Sequence, residues 1–312
     1  MIENKNKGAI LAIVSILSWG LMPVSAKGLT GVLDAYTLNF SRFLAAIIPL
    51  LLYLLIKNRK AIYQPLSKKT LVLILFAIAG LLTNHILFML ALKDIPAGTS
   101  QVIMQIGPLL LLISSVFLFK ESFTHWQWLG VVLLLAGLAI FFNKDIVEIF
   151  KLRGAYGRGV LTMAFAAAIW VIYGLAQKLL IKVMSPVIIM LCCYIGGGLI
   201  LYPLADIDSL LALRGAEIIL LFMCAFSSLF AYIAFAESMS YWEASKSSAL
   251  LALIPLISIV FEMFFSRIFP THIVFEALGR SALVGVLIVV SGTIIITIGG
   301  GIKPLVKKNK LE

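Results

Sequence analysis

Charged side chains are scarce in this sequence. They make up 12% of the 312 residues, whereas an average soluble domain has about 25%. Because a water-soluble fold could not cover its surface with so few charges, that class of protein is excluded. Acidic residues are the scarcer kind, 14 against 25 Lys and Arg, which gives a formal net charge of +11. The basic residues lie in short loops and at both ends, without a dense patch or interleaved aromatics. We therefore expect contact with anionic lipid and no nucleic-acid partner.

Cysteine is also rare. The three residues Cys192, Cys193 and Cys224 lie in apolar runs, and an odd number without metal-type spacing argues against a disulfide framework or a zinc site. We interpret them as core residues. The sequence also lacks a Walker loop, HExxH, GxSxG and paired aspartates in a polar segment, so we expect no enzyme, no cofactor and no metal site.

Apolar residues are abundant, 62% of the chain, and they gather into runs long enough to cross a membrane, for which a helix needs roughly 20 residues. We predict an all-α polytopic membrane protein in the cytoplasmic membrane, with the lipid bilayer as its surroundings. Only the loops 57–69 and 143–158 are long. The ten predicted spans, numbered 1 to 10, lie near 8–26, 36–56, 70–92, 97–119, 124–142, 157–177, 185–205, 215–239, 244–266 and 279–300.

Both chain ends are expected on the same side of the membrane, because the number of spans is even. More Lys and Arg residues fall on the side of the two ends than on the opposite side, although loop 143–158 narrows the difference. The positive-inside rule therefore predicts a cytoplasmic N-terminus over 1–7 and a basic cytoplasmic C-terminus over 301–312. The stretch "LSWGLMPVSAK" (17–27) imitates a signal-peptide cleavage site, but its apolar run is long for a signal-peptide core of about 7–15 residues. We interpret it as part of span 1.

The two halves of the chain resemble each other. At an offset of 151 residues, 8–27 aligns with 159–178 and Trp19 with Trp170. Each half holds five spans, an odd number, so the second half is inverted relative to the first. We expect repeat 1 over 8–142, a linker over 143–156 and repeat 2 over 157–300, an arrangement typical of secondary transporters. Two further offsets, 147 and 155, align Pro108 with Pro255, and Gly130 and Gly137 with Gly285 and Gly292.

Several motifs together resemble the drug/metabolite transporter superfamily, in its ten-helix branch with two EamA-type repeats. They are "SWG" in span 1, "NFSRFLAAIIPL" in span 2, "ALKDIPAGTSQVIMQIGPLL" through spans 3 and 4, and "FKESFTHWQWLGVVLLLAGLAI" around span 5. The resemblance covers about 8–300, and it implies an exporter or exchanger of small metabolites with a cavity lined by spans 1, 3, 4, 6, 8 and 9. Amino acid exporters are the nearest guide. The repeats differ from each other at three aligned positions. Arg42 aligns with Cys193, Thr99 with Lys246, and Ser115 with Glu262.

Ionisable side chains inside a span are costly, by about 2.5–3.5 kcal/mol, and are functional candidates. Arg42 in span 2 either holds a substrate carboxylate or fixes helix packing. Lys246 in span 9 either pairs with Glu243 or faces the cavity and binds an anionic group. Glu262 either makes a structural hydrogen bond or exchanges a proton, which makes it the proton-coupling candidate.

Polar and aromatic residues inside the spans supply the other candidates. His85 follows Asn84 in span 3 and either contacts substrate, relays protons or joins two helices by a hydrogen bond. Trp19 and Trp170 lie near mid-depth and either form two walls of one pocket, where they could attract an ammonium, or simply pack. The remaining expected substrate contacts are Phe88, Gln101, Gln105, Tyr173, Tyr232 and Ser248, and the predicted hinges are Pro108 and Pro255.

Together these features predict a secondary active transporter that moves a small amphipathic metabolite, an amino acid or close derivative, by alternating access. The resemblance favours export. The alternative is a carrier of cationic drugs or of nucleoside-like metabolites of the S-adenosylmethionine type, for which Glu262 would matter more than Arg42 or Lys246. A membrane enzyme or a scaffold is a third reading. Proton coupling or exchange, and either a monomer or a homodimer, are compatible with all of the transport readings.

Overall fold

The structure, a computed structural model, describes residues 2–57, 67–119, 124–144, 154–241 and 250–299. Regular structure in these ranges is helical throughout, which confirms the predicted all-α fold. A short 3-10 turn, Tyr202–Leu204, follows the helix Pro186–Leu201. The helices are α1 (Ile2–Lys27), α2 (Ala35–Lys57), α3 (Lys68–Asp94), α4 (Ala97–Met104), α5 (Ile106–Phe119), α6 (His125–Phe141), α7 (Gly154–Leu180), α8 (Pro186–Leu201), α9 (Ile207–Ala212), α10 (Ala216–Tyr241), α11 (Ile254–Ile268) and α12 (Arg280–Gly299).

These helices match the predicted membrane spans. Within the described ranges, eight stretches are long and apolar enough to cross a membrane, and α4 and α5 together form one of them. Helix α6 is apolar but has 17 residues, and α11 is the described part of span 9. The chain is therefore a polytopic helical membrane protein.

Spans 4 and 9 are each broken rather than continuous. Gln105 separates α4 from α5, and a turn at Ala252 and Leu253 precedes α11. Pro108 and Pro255 then lie in the first turns of α5 and α11. Proline is tolerated in the first turn because its missing N–H has no intrahelical acceptor there, whereas deeper in a helix its ring clashes with a preceding carbonyl. The breaks therefore lie just before the two predicted hinges.

The loop 143–158 is shorter than predicted, because α7 already begins at Gly154. Gly154 has a φ of 82°, a left-handed conformation that glycine adopts without a steric penalty and that turns the chain into the helix. The segment "GAYGR" has the composition of a loop, and the sequence reading was wrong there. Residues 145–153 lie outside the described ranges.

The contacts between helices are equivalent in the two repeats. Helix α1 packs on α10, and its counterpart α7 packs on α3, the counterpart of α10. Three further pairs join a helix to its own counterpart: α2 with α8, α4 with α11, and α6 with α12. Helix α1 also packs on α11, as α7 packs on α4 and α5. The same set of contacts is therefore obtained when repeat 1 and repeat 2 are swapped, as inverted repeats require.

Glycines bring α6 and α12 into backbone contact. A Cβ added to Gly130 would lie 2.7 Å from the carbonyl oxygen of Gly292, and one added to Gly285 would lie 2.8 Å from that of Gly137. Only glycine allows two helices to approach so closely. We call these four glycines the glycine seam.

Side-chain hydrogen bonds tie the two equivalent helix pairs. Ser15 Oγ on α1 donates to the carbonyl of Ala231 on α10 at 2.8 Å. In the other pair, Asn84 Nδ2 on α3 donates to the carbonyl of Ala166 on α7 at 2.9 Å. The repeat alignment places Ala166 on Ser15 and Ala231 on Asn84, so each pair is joined at the same level by a donor from the opposite member.

Candidate functional site

A cavity of about 750 Å³ lies between the two repeats. Helices from both halves line it, including α1, α2 and α3 from repeat 1 and α7, α8 and α10 from repeat 2. Most of the predicted site residues lie on its wall: Trp19, Arg42, Asn84, His85, Phe88, Gln101, Gln105, Pro108, Trp170, Tyr173 and Tyr232.

Four predicted site residues are placed otherwise. Glu262 and Pro255 are buried on α11 and do not line the cavity. Lys246 and Ser248 lie outside the described residues, so their assigned contacts stay predictions.

One end of the cavity reaches the end of the helix bundle. Its wall extends to Gln177, Lys178 and Ile181 at the turn between α7 and α8, and the side chain of Ile181 is 51% exposed. We call this the mouth. Lys7 Nζ on α1 donates to Tyr241 Oη on α10 at 3.1 Å, which places the start of α1 and the end of α10 together.

The opposite end of the bundle is closed by apolar side chains. Val24, Leu29, Leu33, Leu220 and Ile273 are buried in one cluster there, and Leu29 is 0% exposed. On α1 the cavity wall reaches Met22 and goes no further toward this cluster. We call this region the closed end, and a solute in the cavity cannot pass it without helix movement.

Arg42 is the buried cation of the cavity wall, with 3% of its surface exposed. Its Nη1 donates to Asn39 Oδ1 at 2.9 Å, and its Nε and Nη2 donate to Ser228 Oγ at 3.3 and 3.0 Å. Both acceptors are neutral. Asn39 is itself fixed, because its Nδ2 donates to the carbonyls of Ala35 and His85. The guanidinium is therefore held in place without a carboxylate from the described part of the chain.

Two polar atoms near Arg42 lack a hydrogen-bond partner within the described ranges: His85 Nδ1 and Tyr194 Oη. Arg42 lies close enough to both side chains to interact with them electrostatically. Tyr194 is buried behind the wall. Its ring centroid lies 4.9 Å from that of Phe43 and 6.5 Å from that of Tyr232. Buried polar atoms normally have partners, so these two atoms mark a place where a further polar group would be stabilised.

Aromatic rings form the wall beside this polar group. The ring of Trp19 meets those of Tyr232 and Phe235 edge to face, with centroids 5.0 and 5.5 Å apart. On the other side, the centroids of Trp170 and Tyr173 are 6.3 Å apart. Trp19 and Trp170 thus both line this cavity, and both rings also pack against neighbours. The surface suits an apolar or aromatic solute.

The charged residues on the wall are all basic. Arg42 and Lys178 line the cavity, together with His85, and no Asp or Glu of the described chain does so. The wall thus favours a solute with a negative group over a cation.

Glu262 binds the N-terminus of a helix instead of facing the cavity. Its Oε1 accepts from the backbone N–H of Ala97, and its Oε2 from that of Gly98, both at 2.9 Å. The side chain is 2% exposed, and a carboxylate at a helix N-terminus is favoured both by these donors and by the helix dipole. A Cβ on Gly98 would lie 2.5 Å from Ile259, so glycine is required for this contact. Glu262 was predicted either to make a structural hydrogen bond or to exchange a proton, and the contacts it makes here are structural hydrogen bonds.

Lys27 makes a second charged contact at the closed end, which the sequence reading missed. Its Nζ donates to the carbonyls of Leu92 and Lys93 at 2.8 and 3.0 Å, at the C-terminus of α3, where a cation is stabilised by unpaired carbonyls. The repeat alignment places Lys178 on Lys27, so the equivalent lysine of repeat 2 lies at the mouth. That equivalence was the available signal.

Comparison with known proteins agrees with this architecture. The sequence pattern described as the EamA-like transporter family matches residues 6–143 and again 157–298. The "Uncharacterized inner membrane transporter YhbE" of Escherichia coli K12 is 34% identical over 300 residues, which cover 96% of this chain and 94% of that protein. An "Uncharacterized transporter" of Haemophilus influenzae is 30% identical over 297 residues, covering 95% and 96%. A solved crystal structure superimposes with a TM-score of 0.65 at 17% identity, over 95% of this chain and 99% of that one. The likeness in fold extends over the whole bundle, and the resemblance inferred from the motifs is confirmed.

Proposed function

Since this chain belongs to the EamA-like transporter family, we propose that it is a secondary transporter that exports small amphipathic metabolites, amino acids or their derivatives, by alternating access. That it is a multi-pass membrane transporter follows from the family, the helices and the inner-membrane relatives. The substrate class, the direction and the mechanism are the proposal.

One observation carries the proposal: the cavity between the repeats reaches the bundle end at the mouth and is shut at the closed end. A channel would need both ends open at once. Because the helix contacts are the same after exchange of the repeats, the second state is obtained when each repeat takes up the arrangement of the other. The cavity would then be shut at the mouth and open at the present closed end.

Export is proposed from the family resemblance, and the proposed orientation is compatible with it. The end of α1 and the start of α7 both lie beside the end of α3, so α1 starts and α7 ends at the same end of the bundle. With both chain ends cytoplasmic, the mouth would face the cytoplasm, and in an exporter this state would load the substrate.

Glu262 links proton coupling to the closed end. As a carboxylate it accepts two N–H groups of α4, whereas a protonated carboxyl carries no charge and its hydroxyl oxygen is a weaker acceptor. Lys27 on α1 and Glu276 after α11 act on it electrostatically. Protonation from outside would therefore weaken the hold of α11 on α4 and favour opening of this end.

The experiment is solute counterflow in proteoliposomes that contain the full chain, with a panel of labelled amino acids and with and without a pH gradient. We expect saturable exchange of amino acids with an apolar side chain. Trp19→Ala and Trp170→Ala should both reduce it, whereas Trp126→Ala, a tryptophan on the exposed face of α6, should not. Lack of flux for every compound tested, with folded protein, would contradict the proposal.

The alternative of cationic cargo has less support. The aromatic rings of the wall could attract a cation, but the charged side chains on the described wall are Arg42 and Lys178, with no carboxylate, so the positive charge of the cargo would be repelled there. The counterflow panel should include an organic cation of similar size, which we expect to be transported weakly.

A further inference from the structure

We propose that Arg42 and His85 form an oxyanion site, and that the carboxylate of the substrate, not its ammonium, is the group this cavity recognises. The inference rests on the proposed transport function and narrows its substrate class to solutes that carry a carboxylate on an apolar or aromatic body.

Arg42 is electrically uncompensated within the described chain. Its three hydrogen bonds go to Asn39 and Ser228, neither of which carries charge. A buried cation without a counter-charge is strongly unfavourable, and this one lies on a cavity wall. An anion in the cavity would supply the missing counter-charge.

The guanidinium of Arg42 also has free N–H groups with which it could bind an anion. An arginine side chain has five N–H groups, and the observed bonds use one each on Nε, Nη1 and Nη2. One N–H remains on each terminal nitrogen. Two donors of that kind suit the two oxygens of a carboxylate.

The placement of His85 provides a second polar group. Its side chain is 9% exposed and lines the same cavity, and its Nδ1 has no partner in the part of the chain that the structure describes. Asn39 donates both to the carbonyl of Ala35 on its own helix and to that of His85, which holds α3 against α2 beside Arg42. Nδ1 itself is buried, so a rotation of the ring that turns a protonated ring nitrogen toward the cavity would let the imidazole donate to the same anion.

The apolar part of the substrate has a defined place. The repeat alignment sets Cys193 on Arg42 and Tyr232 on His85, so repeat 2 offers weakly polar or aromatic side chains where repeat 1 offers the oxyanion site. Trp19 packs on Tyr232. A bound solute would thus point its carboxylate at Arg42 and His85, and its hydrocarbon or ring at Trp19 and Tyr232.

The ammonium of an amino acid would find no carboxylate on the described wall. It is therefore not required for recognition. Three compounds with one shared phenyl group separate the possibilities: N-acetylphenylalanine, which has only the carboxylate, phenylalanine, which has both charges, and phenylalaninamide, which has only the ammonium.

The test measures the binding of these three compounds to the full chain in detergent and their counterflow in proteoliposomes. We expect N-acetylphenylalanine and phenylalanine to bind within a few-fold of each other and the amide at least roughly 10-fold more weakly, the loss expected for hydrogen bonds to a charged group. Equal binding of the amide and the acid would overturn the oxyanion site but leave transport intact. Failure of all three, and of every other compound in the panel, would count against the transport function itself.

Variants locate the site. Arg42→Lys keeps the charge but loses the paired donors, and should weaken the acids by roughly 10-fold. Arg42→Met and His85→Gln should reduce the preference for the acid over the amide, and Arg267→Met, at the exposed end of α11, should not. Should Arg42→Met fail to fold, the three-compound comparison on the unaltered protein still decides. Discrimination that persists in a folded Arg42→Met variant would refute the assignment.

Discussion

Neutral neighbours keep the charge of Arg42 in position. Asn39 accepts from its Nη1 and spans α2 and α3, and Ser228 on α10 accepts from two of its nitrogens while donating to the carbonyl of Cys224. The orientation of the guanidinium thus depends on three helices. A small change at these positions should act on substrate affinity through Arg42, without touching the substrate.

Asn39→Ala removes one acceptor from Arg42 and the one donor with which Asn39 bonds to α3. We expect a loss of about 1–3 kcal/mol in the free energy of unfolding, because the carbonyl of His85 and one N–H of Arg42 lose their partners in a buried place. Affinity for the acid ligand should fall as well. Thermal unfolding in detergent and ligand titration would measure both effects. The control is Ser41→Ala, which removes a buried hydroxyl that bonds only to its own helix; a similar loss of affinity there would contradict the positioning role.

The sequence allowed some of these residues to be predicted. Arg42 and His85 stand out because an ionisable side chain in an apolar run is rare for a physical reason. Tyr194, Asn39 and Ser228 did not stand out, since tyrosine, asparagine and serine are tolerated in spans and their importance depends on which helix faces them. Glu262 was noticed for its charge, but its partners, two backbone N–H groups of another helix, are not visible in a side-chain pattern.

Charged side chains bind helix termini at the closed end. Glu262 caps the N-terminus of α4, and Lys27 caps the C-terminus of α3. Both contacts join elements that must separate when this end opens. Charged caps at helix termini are well suited to the task, because water can replace them once the helices part.

Glu262→Gln should loosen the closed end, because an amide has a single acceptor oxygen for two N–H donors. We expect a loss of stability of about 1–2 kcal/mol and faster maleimide labelling of a cysteine placed at Leu29, in a chain whose three natural cysteines are replaced. Glu217→Gln is the matched control, since Glu217 accepts from the N–H of Arg214 in an exposed loop. Unchanged labelling in Glu262→Gln would show that the cap does not hold this end shut.

The glycine seam should be intolerant of side chains. Gly137→Val would place atoms 2.6 Å from the backbone nitrogen of Val289, so α6 and α12 would have to move apart. We expect about 1–3 kcal/mol of destabilisation, the usual range for overpacking a close contact. Gly31→Val, where an added Cβ meets nothing within 4 Å, should leave the melting temperature in detergent nearly unchanged. Equal melting temperatures for the two variants would contradict the backbone contact.

At the scale of the whole molecule, the fold was largely predictable and the packing was not. Spans of apolar residues and the alignment of Trp19 with Trp170 are local patterns, so the all-α class and the inverted halves could be predicted from them. The breaks at Gln105 and Ala252 were not predicted, because a proline in an apolar run is compatible with a kink as well as with a new helix start. Which helices pair, and hence which end is shut, depends on long-range contacts that no single segment contains.

The two ends should exchange accessibility during transport. A cysteine placed at Ile181 should react with a membrane-impermeant maleimide from the cytoplasmic side, and one at Leu29 should be protected. An acidic exterior with substrate present should reduce the first reaction and increase the second, measured in vesicles of known orientation. If the cysteine that replaces Ile181 reacts with maleimide from the outside, the assigned topology is the wrong way round. If the cysteines at both positions react at the same time, the protein is a channel.

The glycine seam has the symmetry of a contact between two identical partners. Gly130 meets Gly292 as Gly285 meets Gly137, so the same contact is made twice along one pair of helices. In a homodimer, a single substitution at such a position would damage both copies together. In this one chain it damages one copy while the other still holds the helices. One repeat can therefore change at a seam position without forcing the same change on the other repeat, which two identical partners cannot do.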